Sequence, residues 1–167
     1  MKAERTTDLP PIVADAASLR QRVAEARRQG KTIGLGPTMG ALHAGHLSLV
    51  DASARECGFT VVTIFVNPTQ FGPQEDFASY PRTLESDVRA LAGRGVDIVF
   101  APATDAMYPP GHATYVEMDG PALVLEGAFR PGHFRGVATI VLKLFNLVQP
   151  DRAYFGRSAW LKRSQRA

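Results

Sequence analysis

The chain has 167 residues, 45% hydrophobic and 21% charged, with a formal net charge of +3, which describes one globular domain with a substantial core and excludes a disordered or repetitive chain. The pI near 9.3 does not point to nucleic acid. Four basic residues and no acidic one fall in the last stretch, RSAWLKRSQRA, and the other Lys and Arg are scattered where a nucleic-acid groove would cluster them with aromatics.

The first residues, MKAERTTDLPP, carry charges and no apolar core, so they do not read as a signal peptide. No apolar run approaches the length that crosses a bilayer. A cytoplasmic protein with no membrane partner is expected. Residues 15–29 repeat Leu19, Val23 and Ala26 at helical spacing, with Asp15 as the cap and Gly30 as the left-handed stop. KTIGLG, residues 31–36, reads as a short buried strand. HLSLVDASAREC, residues 46–57, places Leu47, Val50, Ala54 and Cys57 on one helical face and stops at Gly58. As the lone cysteine, Cys57 excludes an internal disulfide and a cysteine-built zinc site. Its apolar position predicts a buried structural thiol.

FTVVTIFV, residues 59–66, is a β-branched and aromatic run that predicts a strand buried on both faces. Residues 83–95 give a helix through Leu84, Val88 and Leu91, and VDIVFAP, residues 96–102, another buried strand. ATYVEM, residues 113–118, predicts an edge strand. Residues 133–150 predict a long helix through Phe134, Val137, Val141, Leu144 and Val148, closed by Pro150, and RAYFG, residues 152–156, one more strand. Strands alternating with helices predict an α/β fold: a Rossmann-like parallel sheet with right-handed crossovers, with ligands at the carboxyl ends of its strands.

At the end of the first such strand stands PTMGALHAGHLSLV, residues 37–50, with His43 and His46 where a glycine-rich loop becomes a helix. The glycines at 34, 36 and 40 miss the dinucleotide fingerprint, because Met39 occupies the place of its third glycine. No Gly-Lys-Ser/Thr follows, so there is no P-loop. Metalloprotease histidines sit four apart with a Glu beside the first; these sit three apart beside Ala44. No protein-built metal site is expected. A helix N-terminus offers unpaired N–H groups and partial positive charge to a phosphate. Gly45 lets a nucleotide approach the backbone, and two imidazoles add donors where charge grows on an attacked α-phosphate. On these residues alone, a loop with two solvated histidines stays open beside the nucleotide site.

His-x-Gly-His after a first strand resembles the signature of the nucleotidyltransferase and class I aminoacyl-tRNA synthetase superfamily. More extended stretches, GPTMGALHAGH, FVNPTQFGPQEDFASYPRTLESD and EGAFRPGHFRGVATIVLKLFNLVQPDRAYFG, resemble the pantothenate synthetase (pantoate–β-alanine ligase) family almost continuously from residue 31 to 156. The resemblance implies ATP-dependent ligation of pantoate and β-alanine through a pantoyl-adenylate, with release of pyrophosphate and AMP. ATP would arrive with Mg2+, and the enzyme would be a cytoplasmic homodimer. By motif position, Thr38, Met39, Gly40, Ala41, Leu42, His43, Ala44, Gly45, His46 and Gly156 would line the ATP site. His46 would be the acid or phosphate-stabilising residue, with His43 beside it. Gln70 would hold pantoate together with Met39, and Asn67 would shape that pocket. Tyr80, Glu126 and Arg130 would frame the acyl and nucleotide sites.

Each has a plainer reading as well. Gln70 and Asn67 can cap a turn at Pro68, Tyr80 can pack only, and Arg130 and Arg135 can be solvated charges. His112 and His133 read as loop and helix-start residues. After AYFG the family continues with Glu-Lys-Asp, one variable residue and Gln-Gln. Here Ser158 takes the place of the phosphate-binding Lys, Ala159 that of the Asp, and Lys162 that of the second Gln. The expected organisation is therefore an incomplete nucleotide- and pantoate-binding N-terminal domain over residues 1–156, a divergent basic tail over 157–167 that packs poorly, and no C-terminal lid. A frameshift or truncation is one account of that tail. The alternative function is a catalytically impaired module that retains partial substrate binding or dimerisation.

Overall fold

Asp15 opens the first helix: its side chain accepts the Ser18 amide at 2.8 Å, and α1 (Ala16–Arg28) buries Leu19, Val23 and Ala26 on one stripe. Gly30 leaves the helix at φ +73°, a conformation that a Cβ would strain. The computed structural model describes residues 8–72, 77–119, 130 and 132–156. Glu126 and the tail from Arg157 lie outside the described residues.

Five strands form one sheet: β1 (Ile12–Val13), β2 (Ile33–Thr38), β3 (Phe59–Ile64), β4 (Ile98–Phe100) and β5 (Arg152–Ala153). Their order is β1–β4–β3–β2–β5, and every pairing is parallel. The two-residue β1 is too short to leave a pattern in the sequence. In the central strand β3, Thr60 to Ile64 are all buried, as its unbroken apolar run predicts.

The sheet separates two cores. Leu35, Val61, Ile98 and Phe100 pack on one face with α1, with the short α4 (Thr104–Met107) and with α5 (His133–Val148), through Leu19, Met107, Ile140, Leu144 and Val148. Val62, Ile64 and Val99 pack on the other face with α2 (Ala44–Glu56) and α3 (Leu84–Leu91), through Val50, Val88 and Leu91. Successive strand residues point to opposite faces, so both cores are drawn from the same short runs. From β2 the chain steps through β3 to β4 in one direction, and β5 then lands on the other side of β2. This reversal makes the carboxyl ends of β2 and β5 the switch point where such sheets hold ligands.

One expectation is corrected, and the buried faces of two expected helices are refined. Residues 113–118 form no strand; the Val116 amide donates to the Thr139 hydroxyl of α5 at 2.9 Å, so a helix side chain replaces a ladder. Leu84 is 36% exposed, because it opens α3 at its free end. The buried place on that helix goes instead to Asp87. On α5 the fully buried residues are Gly136, Thr139, Ile140, Leu144 and Val148, while Phe134, Val137 and Val141 are half-buried. The buried face is turned because Gly136, with no side chain, seats the helix on the 3-10 turn Pro68–Gln70. Cys57 is buried as predicted, with its Sγ 3.4 Å from the Tyr154 hydroxyl.

Candidate functional site

The chain leaves β2 at Thr38, whose hydroxyl donates to the Thr63 carbonyl at 2.8 Å and accepts the Gly40 amide at 3.2 Å. Gly40 (φ +87°) and Ala41 (φ +50°) then take two consecutive left-handed conformations. That turn delivers His43 to the N-cap of α2 and His46 to the third position of its first turn. Both imidazoles act as caps. His43 Nδ1 accepts the Gly45 amide at 3.1 Å, and His46 Nδ1 accepts the His43 amide at 3.4 Å. A capping box built from Ser and Glu is here built from two histidines. With Nδ1 accepting, a ring in its neutral form carries its proton on Nε2. The ring centroids are 4.1 Å apart.

Gly45 has a local reason to be glycine. A Cβ there would lie 2.9 Å from His43 Cε1, so the capping ring occupies the space that a side chain would need. The amides of Ala41 and Leu42 turn inward, donating to the Asp87 carboxylate at 3.0 and 2.8 Å. Donors toward a ligand therefore come from the imidazoles and the helix mouth, not from these two loop amides.

The second loop follows β3. Asn67, 1% exposed, donates to the Gln70 side-chain oxygen and to the Gly136 carbonyl, each at 3.0 Å. Its own oxygen accepts the Thr69 and Tyr108 hydroxyls at 3.0 and 2.8 Å. Both hydrogens of the Asn67 amide are thus used within the protein, and the residue shapes the loop from below. Gln70 Nε2 lies 3.0 Å from Met39 Sδ, and that contact joins the second loop to the helix mouth. Burial holds the pKa of the Tyr108 hydroxyl above its ordinary value.

His133 donates from Nδ1 to the Gln70 carbonyl at 2.9 Å. Its Nε2 then accepts from Arg130, 3.3 Å away, and the same guanidinium reaches the Gln70 carbonyl at 3.4 Å. Arg130 thus stands over the Gln70 turn. Tyr80 packs edge-on against Phe71, 5.6 Å between centroids. Burial, and then the charge of Asp87, raises its hydroxyl pKa above the ordinary value. Gly156 follows β5, the strand beside β2. His112 packs against the rings of Tyr108 and Tyr115.

Of the residues singled out in the sequence, Thr38 to His46 and Gln70 come together at the strands' carboxyl ends. Asp87, His133 and Gly136 were missed as parts of this arrangement. The available signals were an acid on the apolar stripe of 83–95 and the residues HFRG beside Arg130.

The fold and this helix mouth define a class: a parallel α/β domain with its candidate ligand site at a topological switch point. Residues 11–163 match the Pantoate-beta-alanine ligase family, and the chain belongs to that family. The chain is 62% identical over 146 residues to a pantothenate synthetase of Moorella thermoacetica, covering 87% of this chain and 52% of that protein. It is 59% identical over 147 residues to one of Chromohalobacter salexigens, covering 87% and 52%. The crystal structure of pantothenate synthetase from Thermus thermophilus superposes with a TM-score of 0.82 at 52% identity, covering 87% of this chain and 51% of that one. Pantoate-beta-alanine ligase from Francisella tularensis, complexed with beta-gamma ATP and beta-alanine, gives 0.80 at 39% identity, covering 86% and 55%. The chain thus spans about half the length of the curated relatives it matches.

Proposed function

We propose that this chain carries the nucleotide- and pantoate-binding portion of an AMP-forming pantoate–β-alanine ligase. The observation that carries the reading is the Met39–Gln70 contact at 3.0 Å, which sets the acyl loop against the two-histidine helix mouth. ATP would arrive with Mg2+, which would supply positive charge to its phosphates, and the α-phosphate lies at the mouth of α2, where the helix N-terminus favours negative charge. Pantoate lies beside Gln70, whose neutral amide orients a hydroxy-carboxylate without quenching its nucleophilicity. One carboxylate oxygen attacks the α-phosphorus, and the bond from that phosphorus to the bridging oxygen of pyrophosphate breaks. Negative charge grows on the non-bridging oxygens, and the Nε2–H groups of His43 and His46 meet it. The amine of β-alanine then attacks the acyl carbon, and AMP leaves.

In this reading the unit works as a cytoplasmic homodimer. Arg130 and Tyr80 frame the acyl side, and Gly156 borders the nucleotide. A second reading is a catalytically impaired module that binds substrates without turning over. It rests on Ser158, Ala159 and Lys162 standing where the family carries Lys, Asp and Gln. Pyrophosphate departure needs cations on the leaving phosphates, and losing one such charge costs ~100-fold or more.

A coupled assay of AMP formation with pantoate, β-alanine and MgATP, alongside calorimetric titration of MgATP, tests the two together. MgATP binding that His46→Ala abolishes supports the site, and pantoate-dependent AMP release supports the ligase. Binding without release favours the impaired module. Unchanged binding in His46→Ala removes the site assignment.

A further inference from the structure

Asp87 is a carboxylate buried to 3% exposure, and an unpaired charge so placed is strongly destabilising. Its two oxygens accept three hydrogen bonds, two of them from the loop that follows β2. Oδ2 accepts the Ala41 amide at 3.0 Å and the Thr83 hydroxyl at 3.0 Å, and Oδ1 accepts the Leu42 amide at 2.8 Å. Thr83 closes the clamp by accepting the same Ala41 amide at 3.2 Å. The loop so held is the left-handed pair Gly40–Ala41. An alanine rarely keeps that conformation unless its surroundings enforce it. The next residue after Leu42 is the capping His43.

We propose that Asp87 is a positioning residue for the phosphate-handling histidines: by clamping the amides of Ala41 and Leu42 it sets the entry angle of α2, and with it the placement of His43 and His46. This deepens the function proposed above and rests on it. The clamp carries α3 into the site, because Thr83 and Asp87 are the N-cap and an inward residue of that helix. It also explains how an acid can stand beneath a mouth built for phosphate, since charge-assisted bonds to two amides and a hydroxyl spread its charge.

The sign of one substitution separates positioning from electrostatics. Removing a negative charge near a polyanion site should strengthen MgATP binding on Coulombic grounds alone. Positioning requires the opposite. For Asp87→Asn, whose NH2 would face an N–H donor, titration calorimetry is expected to show MgATP affinity weakened by about tenfold or more. Thr83→Val keeps the carboxylate and removes one arm of the clamp; it should weaken binding by a smaller factor, and it carries the test if Asp87→Asn does not fold.

Amide hydrogen exchange supplies a readout without nucleotide. In either variant the amides of Ala41, Leu42, His43 and Gly45 should exchange faster, while those of β3 keep their protection. Faster exchange confined to Ala41 and Leu42 would overturn the proposal, because the clamp would then not reach the histidines. So would a lowered denaturation midpoint with MgATP affinity of the folded protein unchanged or improved. If the unsubstituted chain bound no MgATP, the proposed function would fall, and the exchange pattern would still decide the clamp.

Discussion

Gly136 of α5 lies directly against the carbonyl of Thr69: a Cβ on Gly136 would stand 2.3 Å from that oxygen and 2.6 Å from the Gln70 amide nitrogen. The long helix and the Pro68–Gln70 turn are therefore one packed unit, and Asn67 bridges them through the Gly136 carbonyl at 3.0 Å. Gly136→Ala must push the helix off the turn, because the opposing atoms are backbone. Overpacking of this kind costs about 1–3 kcal/mol. Urea denaturation should show that loss, and pantoate affinity should fall with it, as Gln70 shifts from Met39.

His43 caps α2, and substitution can separate that role from the phosphate contact of the proposed function. His43→Ala removes the cap of α2 and should lower stability by about 1 kcal/mol. His43→Asn supplies another strong N-cap and should hold the denaturation midpoint near that of the unsubstituted chain. Both lack the imidazole Nε2–H, so both should weaken MgATP binding. Full binding by His43→Asn would assign His43 to capping alone.

Asn67→Leu keeps roughly the volume and leaves the Gly136 carbonyl, the Gln70 side-chain oxygen and the Thr69 and Tyr108 hydroxyls without their bonds to Asn67. Each buried polar group left unsatisfied costs about 1–3 kcal/mol. The variant should be among the most destabilised single changes in the chain, measured as a lowered urea midpoint.

The pH dependence of stability includes a contribution from Asp151. Its carboxylate accepts the Ile33 amide at 2.7 Å, which ties the start of β2 to the turn before β5. That bond first, and then the charge of Arg27, lowers its pKa below 3.8. A carboxyl whose folded pKa is depressed stabilises above its unfolded pKa and loses the effect as pH falls through the folded value. Asp151→Asn should cost roughly 1 kcal/mol at most at pH 7, because the side chain is 42% exposed and solvent screens it. The gap between the two proteins should shrink as pH falls below about 4. A gap independent of pH would mean that the charge is irrelevant.

Much of this protein was legible in one dimension. The helix over residues 16–28, the buried strand at 59–64 and the helix mouth at His43 each follow from local pattern: apolar residues at 3.6 or unbroken spacing, and a capping residue at the boundary. Family membership rests on the same kind of information, continuous runs of unusual loop residues. What the sequence could not decide was which polar groups go inside. Asp87 falls on the apolar stripe of a short helix, where local pattern names no partner for an acid, and it is buried because loop amides 45 and 46 positions away need an acceptor. His133 reads as the start of a helix, and it bridges Arg130 to a turn 63 positions away. Residues 113–118 alternate like a strand, yet the partner they meet is a helix hydroxyl. Local pattern records which face of an element is apolar. The burial of a charge or an amide is decided by whether distant segments bring it partners, and only the tertiary structure brings those segments together.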